Sequence, residues 1–533
     1  MTGGPRTIDE YAERNRTVLD RLRVSRRGLL VGGGAGAAAG AVLGRHAFRS
    51  AGGVSGRHGL ALSGRHLARA PDLGPTALRL TAQLLPAGDL PPGLRAVVDL
   101  GDGPGAYGTP VPARIVHLLG AGSQFYVKAA LTGLRPGTTY HYRVRLSDGT
   151  TTGDAHVVTA PGPGSTEPFT FTAFADVGTN AAPPGSDFVN GYAADDPVVA
   201  RDPRPAWTQI DRMATQRPAF TLLAGDICYA DRSGNGRPGA FDPYVWDVFL
   251  ARIDAQAAYT PWMFATGNHD MEAVHGGHGY GGHAARLDLP GNGPPGCPSV
   301  GRFTHANVGV VALDANELSD EIRTNRGYSG GAQVRWLEDT LRSWRTDPGI
   351  DFVVAFFHHC AYSTTREHAS DGGVREALAP LFDRYQVDLA LQGHNHVMER
   401  TDPIRAGRAT RAAPDGATIE PARDGTTYLC IGSGGRARYA FPAPDRFRGS
   451  SGDADPVGSY VWHADGSKEP ETVAWSRTRY DGYAFLAVDV RPAAPGRTTT
   501  MTLRTLADAV PGRPEPYTEI DRVTLRRTAG RNS

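Results

Sequence analysis

Five short apolar runs in this chain end in side chains that carry protons or donate lone pairs. The run 169–175 leads into Asp176-Val177-Gly178, and the run 220–224 leads into Gly225-Asp226, with Tyr229 three residues past the carboxylate. The run 262–266 precedes Gly267-Asn268-His269-Asp270, 352–357 precedes His358-His359, and 387–391 precedes Gly393-His394-Asn395-His396. One Gly-Asp after a strand is ordinarily a turn, and a lone Gly-Asn-His or His pair is ordinarily a turn or a helix cap. Five such sites, each at a strand exit, are not accounted for that way. Gly225 lets the backbone turn sharply as it leaves its strand, so that Asp226 and Tyr229 face one space.

The elements that must position these groups follow from the pattern around them. Each run has strand length and is apolar throughout, as a strand buried on both faces requires. Helical stretches at 333–344 and 374–385 lie between them. Buried strands with helical crossovers make a layered α/β fold, and in such folds ligands gather at the carboxyl ends of the strands. Asp, Asn, His and Tyr from five strand ends are therefore expected in one crevice.

The blocks Asp176-x-Gly178, Gly225-Asp226-x-x-Tyr229, Gly267-Asn268-His269-Asp270, Val354-x-x-x-His358 and Gly393-His394-x-His396 resemble those of the purple acid phosphatases. That family belongs to the calcineurin-like metallophosphoesterases, and the tyrosine of Gly-Asp-x-x-Tyr is its specific mark. The third block ends in Asp270 where plant members carry Glu, and the fourth reads His-His-Cys-Ala. The resemblance implies a four-layer α/β metallophosphoesterase sandwich, two mixed β-sheets flanked by helices, over residues 167–530. It also implies two metal ions. Asp176, Asp226, Tyr229 and His396 would hold one, and Asp226, Asn268, His358 and His394 the other, with Asp226 bridging. A phenol has a reference pKa near 10, so Tyr229 ligates at neutral pH only beside a strongly acidic cation, which points to Fe(III). One shared carboxylate, an amide and two imidazoles suit a divalent metal: Zn, Fe or Mn.

The activity implied is hydrolysis of small-molecule phosphomonoesters, best at mildly acidic pH, by attack of a metal-bound hydroxide. His368, ten positions after His358, is the implied general acid, and His269 would brace the phosphoryl oxygens. A phosphodiesterase or phospholipase-like hydrolase would use the same metals with a different pocket. A cell-surface protein that binds phosphate without catalysis is the reading from another class.

At the N-terminus, Ser25-Arg26-Arg27-Gly28-Leu29-Leu30 precedes the uncharged run 31–43, which Arg45, His46 and Arg49 close. Residues 1–50 thus resemble a twin-arginine export signal, which implies a secreted or envelope-associated protein. The run is too short and too Gly-rich for a stable membrane span. Alternating runs at 78–82, 125–129 and 140–144 between Gly/Pro turns argue a β-sandwich over 70–162. Within it, 131–140 resembles the tyrosine corner of fibronectin type III domains, and 161–165 reads as a linker. The net charge of +1 over 533 residues supplies no field to attract nucleic acid or an anionic membrane.

Cys228, Cys297, Cys360 and Cys430 are far apart, with no CxxC pair, and read as small buried hydrophobes. A disulfide is left open. The Gly/His/Pro-rich loop 272–299, with His275, His278 and His283, reads as a mobile rim that shapes substrate choice. Glu399-Arg400 and the run 432–435 read as structural support near the site, and Asp314 as a turn or core-edge residue.

Overall fold

The computed structural model describes residues 58–68, 77–86, 90–118, 124–162, 164–178, 205–231, 234, 241, 243–272, 275–276, 278–436, 438–442, 450–451, 456–508 and 517–530. The export-signal region, 1–50, lies outside them. Among the described residues no helix is long and apolar enough to cross a membrane.

The described residues beyond 167 form two large mixed sheets, of seven and eight strands, with a three-stranded and a two-stranded sheet beside them. Seven strands carry the site: β1 (Phe169–Phe174), β2 (Thr221–Ala224), β3 (Trp262–Ala265), β4 (Phe352–Phe357), β5 (Leu389–Gln392), β6 (Thr427–Ile431) and β7 (Ala484–Arg491). In one sheet β3, β2 and β1 run parallel, and β7 pairs antiparallel with β1. In the other, β4, β5 and β6 run parallel, with antiparallel strands at both flanks. Four helices cover them: α1 (Pro205–Thr215), α2 (Tyr244–Ala257), α3 (Ala332–Thr346) and α4 (Gly372–Arg384).

The apolar runs divide their side chains between two cores, as a strand with both faces covered must. On β4, Phe352, Val354 and Phe356 face the other sheet and join Phe171, Phe220 and Leu222. Val353, Ala355 and Phe357 point the other way, against Leu337 and Leu341 of α3 and Leu378 and Phe382 of α4. Phe174 of β1 and Leu223 of β2 pack on Ile210 and Met213 of α1 and on Phe249 and Ile253 of α2. The order is helices, sheet, sheet, helices. Each fully buried Leu or Phe contributes about 1.5–3 kcal/mol, so truncating Phe356 to Ala in this double-sided core costs about 3–5 kcal/mol. The Asp371 carboxylate starts α4 by accepting the Val374 N–H at 3.0 Å.

The N-terminal unit is antiparallel. Its first described strand, His58–Ala68, pairs with Ala77–Pro86, so the ladder begins ahead of residue 70. In Thr139–Leu146, Tyr140, Tyr142, Val144 and Leu146 alternate inward. The Tyr140 hydroxyl accepts the Arg135 N–H at 3.0 Å, tying this strand to the turn before it. The unit docks on the region beyond residue 167 through buried polar contacts: Gln124 donates to Asp247 at 2.8 Å, Lys128 to the Ala284 carbonyl at 2.6 Å, and Tyr142 to the Ala258 carbonyl at 2.8 Å.

That docking corrects the expectation of a mobile rim at 272–299. Gly281–Leu287 is a helix, and its Arg286 reaches both Gln124, at 3.0 Å, and Glu272. His283 is fully buried, and His275 stands 3.4 Å from the Glu272 carboxylate with a nearly covered side chain. Of the three histidines only His278 is exposed. The loop is a wedge between two units, and hydrophobic periodicity does not reveal a segment held by buried polar pairs. All four cysteines are buried free thiols.

Candidate metal centre

Three of the five strand exits turn through left-handed backbone. Asp176 (φ 58°), Asp226 (φ 50°), Tyr229 (φ 60°) and His394 (φ 67°) all adopt left-handed backbone. That costs a non-glycine residue on the order of 1–3 kcal/mol, so four of the seven expected ligands are held in place by their surroundings. Close approach requires glycine beside them: a Cβ on Gly267 would lie 2.1 Å from Asp226 Oδ1.

The seven side chains converge in two adjoining groups. In the first, the Tyr229 hydroxyl donates to Asp176 Oδ1 at 2.9 Å and lies 2.9 Å from His396 Nε2. In the second, Asn268 Oδ1 lies 3.1 Å from His358 Nε2 and 3.2 Å from His394 Nδ1. Asp226 Oδ1 stands 3.3 Å from His358 Nε2. Ligand atoms of Asp176, Asp226 and His358 all fall within 4.8 Å of one another, which joins the groups. Outer contacts fix the orientations. His358 Nδ1 donates to the Ala224 carbonyl at 2.9 Å, leaving Nε2 to face inward. The Asn268 amide donates to the Gly234 carbonyl at 3.0 Å, which turns its oxygen inward.

Two buried carboxylates facing imidazole, amide and phenol donors fit cations, because unpaired buried charge is costly. Burial opposes charge on Asp226, but His358 and His269 outweigh it and hold its carboxyl well below the usual range. Burial likewise disfavours His358 as a cation, yet Asp226 and Asp176 raise it to about 10. Burial, then Asp176 and Asp226, push the Tyr229 phenol well up.

Residues 169–398 match the calcineurin-like phosphoesterase family. An uncharacterised protein of Mycobacterium tuberculosis is 33% identical over 75% of this chain and 76% of its own length. The chain belongs to the calcineurin-like phosphoesterases. Probable inactive purple acid phosphatase 1 of Arabidopsis thaliana is 27% identical over 62% of this chain and 52% of its own length. The purple acid phosphatase from yellow lupin (Lupinus luteus) seeds shares the fold, with TM-score 0.63 and 19% identity over 87% of this chain and 74% of that one. A binuclear metal centre is what this family implies.

Several residues of this phosphoesterase surround the donor groups. The His269 N–H donates to Asp226 Oδ1 at 2.9 Å, and its Nδ1 to the Asp231 carbonyl at 2.6 Å; burial pushes its pKa down. The ring of His368 lies with its centroid 4.3 Å from that of His394, the two planes tilted by 53°. Its Nδ1 lies 2.5 Å from Glu321 Oε1, and its Nε2 lies 3.3 Å from the Tyr439 hydroxyl. Asp270 Oδ2 accepts the Gly267 N–H at 2.8 Å and its Oδ1 the Ile227 N–H at 3.0 Å, clamping two ligand turns together. Glu399 accepts Ser363 at 2.7 Å and the Thr364 N–H at 2.9 Å, anchoring the loop that carries His368. Asp314 caps a short turn through the Asn316 N–H at 3.0 Å; it is fully buried, and burial raises it to about 6.

Three residues escaped the reading of the sequence. Glu321 also lies 3.2 Å from His394 Nε2, and burial of its carboxyl is outweighed by the two histidines, which hold it well below the usual range. No motif marks it. Arg436 places its Cζ 4.0 Å from the centre of the Tyr229 ring, and Tyr439 stacks on His396 at 4.0 Å. Both follow the glycine-rich run 432–435, so that run leads a strap over the site. A Gly-rich exit from β6 was the available signal.

Proposed function

We propose that this chain is an exported phosphomonoesterase of the acid-phosphatase type, with Fe(III) and a divalent Zn, Fe or Mn at its centre. The observation that carries the reading is Tyr229, within 2.9 Å of both Asp176 and His396. A phenol among carboxylate and imidazole donors suits a strongly acidic cation. Bound cations would supply Lewis-acid charge and a nucleophile competent near neutral pH.

The chain's own residues supply the rest. His269 binds and orients the phosphoryl oxygens. His368 protonates the leaving oxygen, as a positioned acid does. The twin-arginine pattern at 25–30 supports export, and the antiparallel unit ahead of the catalytic sheets is proposed to be fibronectin type III-like. A non-catalytic reading has one observation in its favour: the Arabidopsis relative is named a probable inactive phosphatase. The complete donor set with His269 and His368 beside it favours catalysis.

The test uses the metal-loaded protein with nitrophenyl phosphate and bis(nitrophenyl) phosphate, beside His269→Ala. Monoester turnover that falls roughly 100-fold or more in the variant, at unchanged metal content, supports the reading. Preferential diester turnover moves the activity to a phosphodiesterase. No turnover of either by protein with full metal content leaves the binding function.

A further inference from the structure

Glu321 arrives at the site from a loop with no ligand motif, yet the fold takes pains to deliver it. The Asp371 carboxylate accepts the Ser319 hydroxyl at 2.5 Å, the Asp320 N–H at 3.0 Å and the Glu321 N–H at 3.1 Å. One side chain therefore caps helix α4 and pins the Glu321 backbone. The two oxygens of Glu321 then face different histidines: Oε1 is 2.5 Å from His368 Nδ1, and Oε2 is 3.2 Å from His394 Nε2. His394 turns its other nitrogen toward Asn268 Oδ1 at 3.2 Å, so the tautomer that donates Nε2–H to Glu321 leaves the Nδ1 lone pair on the ligand side.

We infer that Glu321 is a shared positioning residue, one oxygen orienting the ligand imidazole of His394 and the other holding His368 over it by Nδ1. The inference rests on the reading of the site as a phosphatase. When the ester P–O bond breaks, its electron pair stays on the leaving oxygen, which takes a proton from His368 Nε2, while water supplies the oxygen that phosphorus gains. Throughout, the Nδ1–H of His368 keeps its bond to Glu321. A carboxylate is needed for this double duty because both partners donate. Glutamine offers one acceptor and one donor group, so one histidine must lose its acceptor.

The experiment compares the full chain with Glu321→Gln, His368→Ala and the double variant. The first readout is retention of the divalent cation against a competing chelator, and it needs no turnover. Glu321→Gln is expected to weaken retention roughly 10–100-fold, with the melting temperature close to that of the wild type. The second readout is kcat on phenyl phosphate, a poor leaving group, against dinitrophenyl phosphate, a good one. Glu321→Gln and His368→Ala should each lose activity mainly on the phenyl ester, and the double variant should lose little more than either, as residues acting as one unit do.

Unchanged retention together with equal losses on both esters would overturn the positioning role. A wild-type protein that holds cations but hydrolyses neither ester refutes the phosphatase reading alone, and the retention arm still decides for or against Glu321. A wild type that holds no cation overturns both.

Discussion

The Cζ atom of Arg436 lies 4.0 Å from the centre of the Tyr229 ring. A guanidinium over a phenol face is attractive by about 0.5–2 kcal/mol, and it would favour a phenolate more. It offsets part of what burial, Asp176 and Asp226 do to this phenol, which they push well up. Arg436 therefore stabilises the charged form that a strongly acidic cation would take. With Fe(III) bound, purified protein is expected to show a broad visible band that Tyr229→Phe abolishes. Arg436→Leu should move the band to longer wavelength, because removing the cation raises the energy of the phenolate electrons. A colourless, active, iron-free protein would make Tyr229 a bystander.

Gly267 gives a steric test of the ligand geometry. Its φ of −100° suits any residue, so alanine brings no backbone strain. The new Cβ would meet Asp226 Oδ1 at 2.1 Å and Asp226 N at 2.3 Å. Gly267→Ala should keep the far-ultraviolet circular dichroism of the wild type while losing bound cations, counted by elemental analysis. Full metal content in this variant would show that Asp226 is not held where the geometry puts it.

The strands and helices were legible because both cores impose a pattern: 352–357 is apolar at every position, and that is what two covered faces demand. The convergence of the seven expected donors was legible because each stands within five residues of a strand end. Glu321, Arg436 and Tyr439 were not, since long-range contacts bring them in. Asp371 pins Glu321 across 50 residues, and no periodicity encodes such a bond. Arg286 escaped for a similar reason: its partners, Glu272 and Gln124, make sense of buried charge only after the two units have docked.

Asp270 stands where plant relatives were expected to differ, and its role here is structural. Burial and the neighbouring Asp226 push its carboxyl well up. Both of its oxygens accept backbone N–H groups, from Gly267 at 2.8 Å and Ile227 at 3.0 Å. Asp270→Asn would set an NH2 group against one of these donors, which costs about 1–3 kcal/mol for an unpaired buried group. A urea titration should show the lowered midpoint, and cation retention should fall with it because both clamped turns carry ligands. An unchanged midpoint would mean that the turns hold themselves.

His305 should set a limit on stability in acid. Its ring packs 4.4 Å from Phe169 and 5.3 Å from Phe220, and it is only 5% exposed. Burial alone lowers its pKa from 6.5 to about 4. The folded protein therefore keeps His305 neutral at pH values where the unfolded chain protonates it. A lowered folded value means that the stabilisation is complete above pH 6.5 and is lost as pH falls toward 4, where the unfolded state holds the extra proton. Integrated over that window, the loss is on the order of 3 kcal/mol. Melting temperatures taken from pH 7 down to 4 should fall more steeply for the wild type than for His305→Leu, because the wild type loses this contribution and the variant does not. Parallel curves would show that His305 is protonated in the folded state, and the acid limit would then belong to other groups.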